Sequence, residues 1–137
     1  MPHTRSQELA QQIYNQVAPL TDRNTDFRKD YGRICNRFPV LVLENGLAQA
    51  IGFLVGKSQA GDPDNATAMF LNHIAVVLGQ PDDQALLPEV IDADLIHYLH
   101  LTRTALAGAI WFRRYAEGLL GVDPTGEIIT GEDKTSD

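Results

Sequence analysis

Phe38-Pro-Val-Leu-Val-Leu-Glu-Asn-Gly-Leu-Ala-Gln-Ala-Ile-Gly-Phe-Leu-Val-Gly-Lys57 is the stretch whose reading decides the fold. Between Pro39 and Val55 only Glu44, Asn45 and Gln49 are strongly polar, so nearly every face of this segment would leave water. As a hairpin, Val40–Glu44 and Leu47–Val55 would be strands turning on Asn45-Gly46, a dipeptide suited to a tight primed turn. As a helix, Pro39 supplies a fixed φ in the first turn and the segment ends near Gly56. Leu47, Ala48, Gln49 and Ala50 are good helix formers and poor strand residues, and no alternation separates two faces; the reading is therefore one buried central helix. Gly46 and Gly52 inside it would each cost about 1 kcal/mol against alanine, which places another backbone close to them. A membrane span is opposed by the three polar residues and by the lack of a second such segment.

A chain of 137 residues with 44% hydrophobic content has room for one domain and one core. The N-terminal residues Met-Pro-His-Thr-Arg-Ser-Gln contain no apolar export signal, and Cys35, the sole cysteine, excludes an internal disulfide and a zinc-thiolate site. Both features point to a cytoplasmic protein. A net charge of −7 opposes nucleic-acid binding until its distribution is considered. Asp82, Asp83, Glu89, Asp92 and Asp94 stand in 81–94 without a base, and Asp123, Glu127, Glu132, Asp133 and Asp137 face only Lys134 in 121–137. The rest of the chain is slightly basic.

In chain order, Thr4 and Gln7 form a capping box before Leu9, Ala10, Ile13, Tyr14 and Val17, and Pro19 ends this first helix. Asn24 or Thr25 caps a second, whose stripe of Phe27, Tyr31, Ile34 and Phe38 faces the core. A fourth helix starts near Asp64, with Ala66, Met69, Phe70, His73, Ile74 and Val77 inward and Gly79 and Pro81 at its end; His73 reads as a core histidine. Residues 80–92 read as an acidic connection with one short turn around Gln84–Leu87. The last helix is capped by Asp92 or Asp94 and ends at Gly121, with Leu95, Tyr98, Leu99, Thr102, Ala105, Leu106, Ala109, Phe112, Ala116 and Leu119 as its apolar stripe. It is expected to pack along the central helix, with Gly108 and the alanines allowing close approach. The fold class is all-α, an antiparallel bundle of about five helices, with one domain over 1–121 and an acidic mobile tail over 122–137.

Three groups bear on chemistry. Lys29, Arg33 and Arg37 recur every four residues and line up along the second helix. They read either as a solvated face trimmed by Asp26 and Asp30, or as a ridge that meets phosphate, for which the arginine fork is suited. Asp94, His97 and His100 stand at steps of three, but no second motif completes a metal shell, and no nucleophile or phosphate-cradling loop is present; no metal, cofactor or enzymatic activity is expected. In Ile110–Leu120, Trp111 and Tyr115 either cover the core edge while Arg113 and Arg114 reach solvent, or form an interaction surface with them, and Arg103 shares a face with Arg114.

Phe38-Pro39, Asn45-Gly46-Leu47, Phe53-Leu54 with Lys57, and then Tyr98, Leu101-Thr102, Ala105-Leu106 and Trp111-Phe-Arg-Arg-Tyr-Ala-Glu117 together resemble the small helical subunit of the type III-B CRISPR effector, the Cmr complex. The resemblance runs from about Ser6 to Leu120 and leaves the acidic tail unmatched; the small subunit of the related type III-A effector is the alternative within it. It implies an all-α, non-catalytic subunit that stacks in several copies as a minor filament and helps to line the target RNA channel. Its partners would be the backbone and other subunits, copies of itself, and the guide and target RNA duplex region, with no membrane. In the matched motifs Lys57, Arg113 and Arg114 are the positions to face RNA; Lys29, Arg33 and Arg37 join them on charge alone. The alternatives are a protein-binding adaptor without RNA contact and a metal-dependent enzyme built on Asp94, His97 and His100.

Overall fold

The computed structural model describes residues 3–58 and 65–129. It contains α1 (Arg5–Val17), a 3₁₀ turn (Ala18–Asp22), α2 (Thr25–Asn45), α3 (Leu47–Ser58), α4 (Ala66–Val77), α5 (Asp83–Asp92) and α6 (Leu95–Gly118). The all-α bundle is as expected, with six α-helices among the described residues rather than about five, and no β-ribbon forms over 40–55.

The expected central helix is two helices. Gly46 takes φ of 88°, a left-handed value open to glycine, and its N–H closes α2 on the carbonyl of Val42 at 2.8 Å. The chain restarts at once, because the carbonyl of Gly46 accepts from the Ala50 N–H at 3.0 Å and the Tyr98 hydroxyl accepts the free N–H of Ala48 at 3.0 Å. A Cβ on Gly46 would stand 3.3 Å from that hydroxyl oxygen, whereas Gly52 and Gly56 have open space around them, so no backbone lies close to Gly46 or Gly52 as expected: Gly46 is required by its φ and by a side chain instead. Upstream, Pro39 does not begin a helix; it sits inside the 21-residue α2. Proline there removes the N–H that would bond the carbonyl of Cys35, but Phe38 and Val42 are buried on either side of it and keep the helix in place.

The caps follow the sequence. Thr4 and Gln7 exchange both bonds of a capping box, and Asn24, Asn65 and Asp94 each accept a backbone N–H of the first turn. The connection over 80–92 is instead a helix, α5, capped by Asp82, and Leu86 and Val90 bury one side of it despite Pro88. On α6 the buried residues are Leu101, Thr104, Ala105, Gly108, Ala109, Phe112 and Ala116, whereas Leu95 and Leu99 of the expected stripe stand in solvent. Gly108 lies against Val77 and Ile13, so the close approach it permits is to α4 and α1.

Aromatic edges lock the core: Phe70 has its ring centroid 5.2 Å from Phe38, 5.0 Å from Phe112 and 5.9 Å from Tyr31. Tyr31 is fully buried and satisfied by Nδ1 of His73 at 2.6 Å, which agrees with a core histidine. Burial lowers the His73 pKa from 6.5 to about 4. Neutral His73 suits both states above pH 6.5; below it the unfolded chain takes up a proton that the folded chain refuses until about 4. Stability should therefore fall between these values by up to ~3 kcal/mol. Urea midpoints from pH 7 to 4 should show the decline, and a His73→Gln variant should lack that share of it.

Candidate nucleic-acid interface

The helical period places Lys29, Arg33 and Arg37 in one row on α2, but their surroundings differ along it. At the N-terminal end, Glu127 reaches Lys29 Nζ at 3.2 Å and Arg33 Nη2 at 3.7 Å, while Asp30 accepts from Arg33 at 2.9 Å. Glu127 belongs to a turn after α6. Gly121, at φ of 71°, starts it, Val122 and Ile128 form an antiparallel bridge, and Asp123 accepts from the Thr125 hydroxyl at 2.6 Å and the Glu127 N–H at 3.0 Å. The Thr125 hydroxyl foremost, then the Glu127 N–H, lowers the Asp123 pKa from its ordinary value.

The turn is tied to α2. Val122 is buried against Gly32, Gly126 lies on the side chain of Arg33, and Arg28 donates to the Leu120 carbonyl at 2.9 Å. Residues 122–129 of the segment expected to be a mobile tail thus pack on the bundle, and 130–137 lie outside the described residues. With 48% of the Arg33 and 60% of the Glu127 side chain exposed, their pair is worth at most about 1 kcal/mol. The apolar contact of Val122 holds the turn more firmly than the charges do.

Further along the row, Arg37 meets Lys57 of α3 around Phe53. The Arg37 guanidinium carbon lies 5.6 Å and the Lys57 ammonium 5.9 Å from the Phe53 ring centroid, the outer range of cation–π attraction. These three residues, with Arg33, line a groove of about 340 Å³ between α2, α3 and the start of α4. Among the described residues no carboxylate pairs with Arg37, Lys57, Arg113 or Arg114.

Arg113 and Arg114 occupy another side. Arg113 donates to Asn36 of α2 at 3.2 Å, and both arginines line a cleft of about 270 Å³ with Ile110, Glu117, Val122 and Pro124. Beside them Trp111 is partly buried and stacks on Tyr115, whose hydroxyl donates to the Ala10 carbonyl at 2.9 Å and fastens α6 to α1. Of the six cations singled out in the sequence, then, Lys29 and Arg33 carry carboxylates, Arg37 and Lys57 share an aromatic ring, and Arg113 and Arg114 line a separate cleft beside Asn36. Phe53 and Glu127 are the members that sequence reasoning missed. Phe53 was hidden in a run apolar on all faces, and Glu127 lay in a segment with no periodic signal.

The Asp94, His97, His100 group does not converge. Asp94 caps α6 through the His97 N–H, and Nε2 of His97 bonds Glu89 of α5 at 2.7 Å. Among the described residues no three His, Cys, Asp or Glu side chains are placed to hold a metal. No helix among them is long and apolar enough to cross a membrane.

Fold and surface define a small helical-bundle protein with a cationic groove on one side. The family model described as "CRISPR-associated protein (Cas_Cmr5)" matches residues 5–119. The "CRISPR system Cmr subunit Cmr5" of Thermus thermophilus is 36% identical over 117 residues, 85% of this chain and 96% of that protein. The crystal structure of a CRISPR-associated Cmr5 family protein from the same organism superposes with a TM-score of 0.74 at 36% identity, covering 86% of this chain and 99% of that one. The chain belongs to the Cmr5 family, the small subunits of the type III-B Cmr system.

The seat of the C-terminal turn can be tested at Gly32. Alanine in mid-helix gains about 1 kcal/mol over glycine. Here, however, its Cβ would stand 2.7 Å from the Val122 Cβ and closer still to a methyl, a clash that side-chain rotation cannot relieve. Overpacking of this kind costs about 1–3 kcal/mol, so Gly32→Ala should lower the urea midpoint. A raised midpoint would show that the turn gives way freely.

Proposed function

We propose that the chain serves as the non-catalytic small subunit of a type III-B Cmr effector in antiviral defence, stacking in several copies as a minor filament and lining the target RNA channel. Its partners are then the backbone and other subunits, further copies of itself, and the duplex region of guide and target RNA. It works in the cytoplasm, and target cleavage belongs to other subunits. The observation that carries the RNA-facing part is the grouping of Arg37 and Lys57 about the exposed ring of Phe53, beside Arg33, with no carboxylate paired to Arg37 or Lys57 among the described residues. Lys29, Arg33, Arg37 and Lys57 are the RNA-facing cations of that side, and Arg113 and Arg114 extend the contact from their separate cleft. With a net charge of −7, the isolated chain binds RNA weakly and relies on the assembly for affinity.

A second reading, an adaptor that touches only protein, is favoured by Ile91, Leu95 and Ile96, which stand 67%, 72% and 78% exposed around the α5–α6 corner. One experiment separates the two. In the assembled effector, an Arg33→Glu, Arg37→Glu double variant should weaken target RNA binding roughly tenfold at about 50 mM salt, and the gap should narrow as salt rises. Unchanged RNA affinity at low salt, with altered incorporation of the subunit, would establish the adaptor instead.

A further inference from the structure

Phe53 is set apart from the rest of its helix. The core side of α3 is Leu47, Ala50, Ile51 and Leu54, and Phe53 lies off it with 45% of its surface in water. One half-exposed aromatic ring is ordinary. A ring flanked by two cations that have no carboxylate partner among the described residues, in a groove of about 340 Å³, is a different arrangement. It has the two parts a single strand requires, a flat apolar face for a base and mobile positive charge for the phosphates beside it.

The geometry points to Phe53 as a stacking platform for one unpaired RNA nucleotide, with Arg37 and Lys57 as its phosphate contacts. This rests on the RNA-lining reading above and goes beyond it, because it specifies an unpaired nucleotide, whereas a base within a continuous duplex has both faces covered. The cations lie at the outer range of attraction to the ring, and both are long side chains, so either can swing to a phosphate while the ring stays anchored on α3. The groove offers little for reading a base edge. The Asn65 amide is committed to the Ala68 N–H at 2.7 Å and the Ser58 carbonyl at 3.2 Å, Thr67 is buried, and Asp30 is held by Arg33 at 2.9 Å. The platform therefore accepts any base, with affinity from stacking and charge.

The test uses the assembled effector with its guide, and target RNAs carrying 4-thiouridine either within the paired region or at an unpaired position. Ultraviolet crosslinks from the unpaired position should map to the peptide containing Phe53. Phe53→Leu, which keeps an apolar side chain without a π face, should abolish them and weaken binding of the unpaired segment by about five- to a hundredfold, and Phe53→Trp should restore both. Retained crosslinks and affinity in Phe53→Leu would overturn the platform; if Arg33→Glu with Arg37→Glu still weakens binding, the channel-lining reading survives. If neither variant alters RNA binding and Phe53→Leu instead impairs incorporation of the subunit, the ring is a protein contact and both readings fall together.

Discussion

The bond from the Ala48 N–H to the Tyr98 hydroxyl, at the glycine that divides α2 from α3, is the constraint on which the arrangement depends. A helix start leaves backbone donors without partners, and burying them unpaired beside an apolar core costs more than the bond itself returns. Tyr98 supplies the acceptor from α6, so a restart inside an apolar run becomes affordable only where α6 crosses. The break lets two short-linked helices share one core while their outer faces meet at an angle. That turn brings Arg37 of α2 to the ring of Phe53, which Lys57 already neighbours four residues on along α3.

Had residues 38–57 continued as one rod, Phe53 and Arg37 would have stood sixteen residues apart on it, roughly 24 Å along the axis. The groove is thus a product of the break. Its apolar floor comes from the core faces of both helices, through Ile34 and Leu54, and its rim from side chains that helical spacing keeps out of that core.

Much of this was legible beforehand. Capping residues speak locally, through hydrogen bonds within three or four positions, so Thr4, Asn24 and Asp94 were readable from sequence. The stripe of Phe27, Tyr31, Ile34 and Phe38 was equally plain, because its polar complement left no second face. The division at Gly46 was not, since the donor it exposes is answered by Tyr98, fifty residues on, which no local pattern signals. Likewise α5 hid behind two prolines and its acidic residues, although Leu86 and Val90 at i, i+4 were the trace of its buried side. For the site, spacing aligned the cations correctly. It gave no indication that Glu127 would fold back onto two of them, because that contact is set by Val122 entering the space above Gly32.

Charge on this surface is divided, and the division bears on how a subunit of this kind would hold a polyanion. Glu127 offsets Lys29 and Arg33, but an ion pair this exposed is worth about as little as it costs to exchange for a phosphate, so the carboxylate orders the row without sealing it. What remains uncompensated among the described residues near Phe53 is a pair of cations, enough for a weak contact and too little for a tight one. Weak contacts become effective when repeated on one rigid scaffold, because each further engagement is intramolecular and gains from a high effective concentration. Under the proposed stacking, a net-acidic chain with small cationic clefts would meet this requirement: copies would remain apart from free RNA and act on a strand only when the assembly aligns their clefts along it.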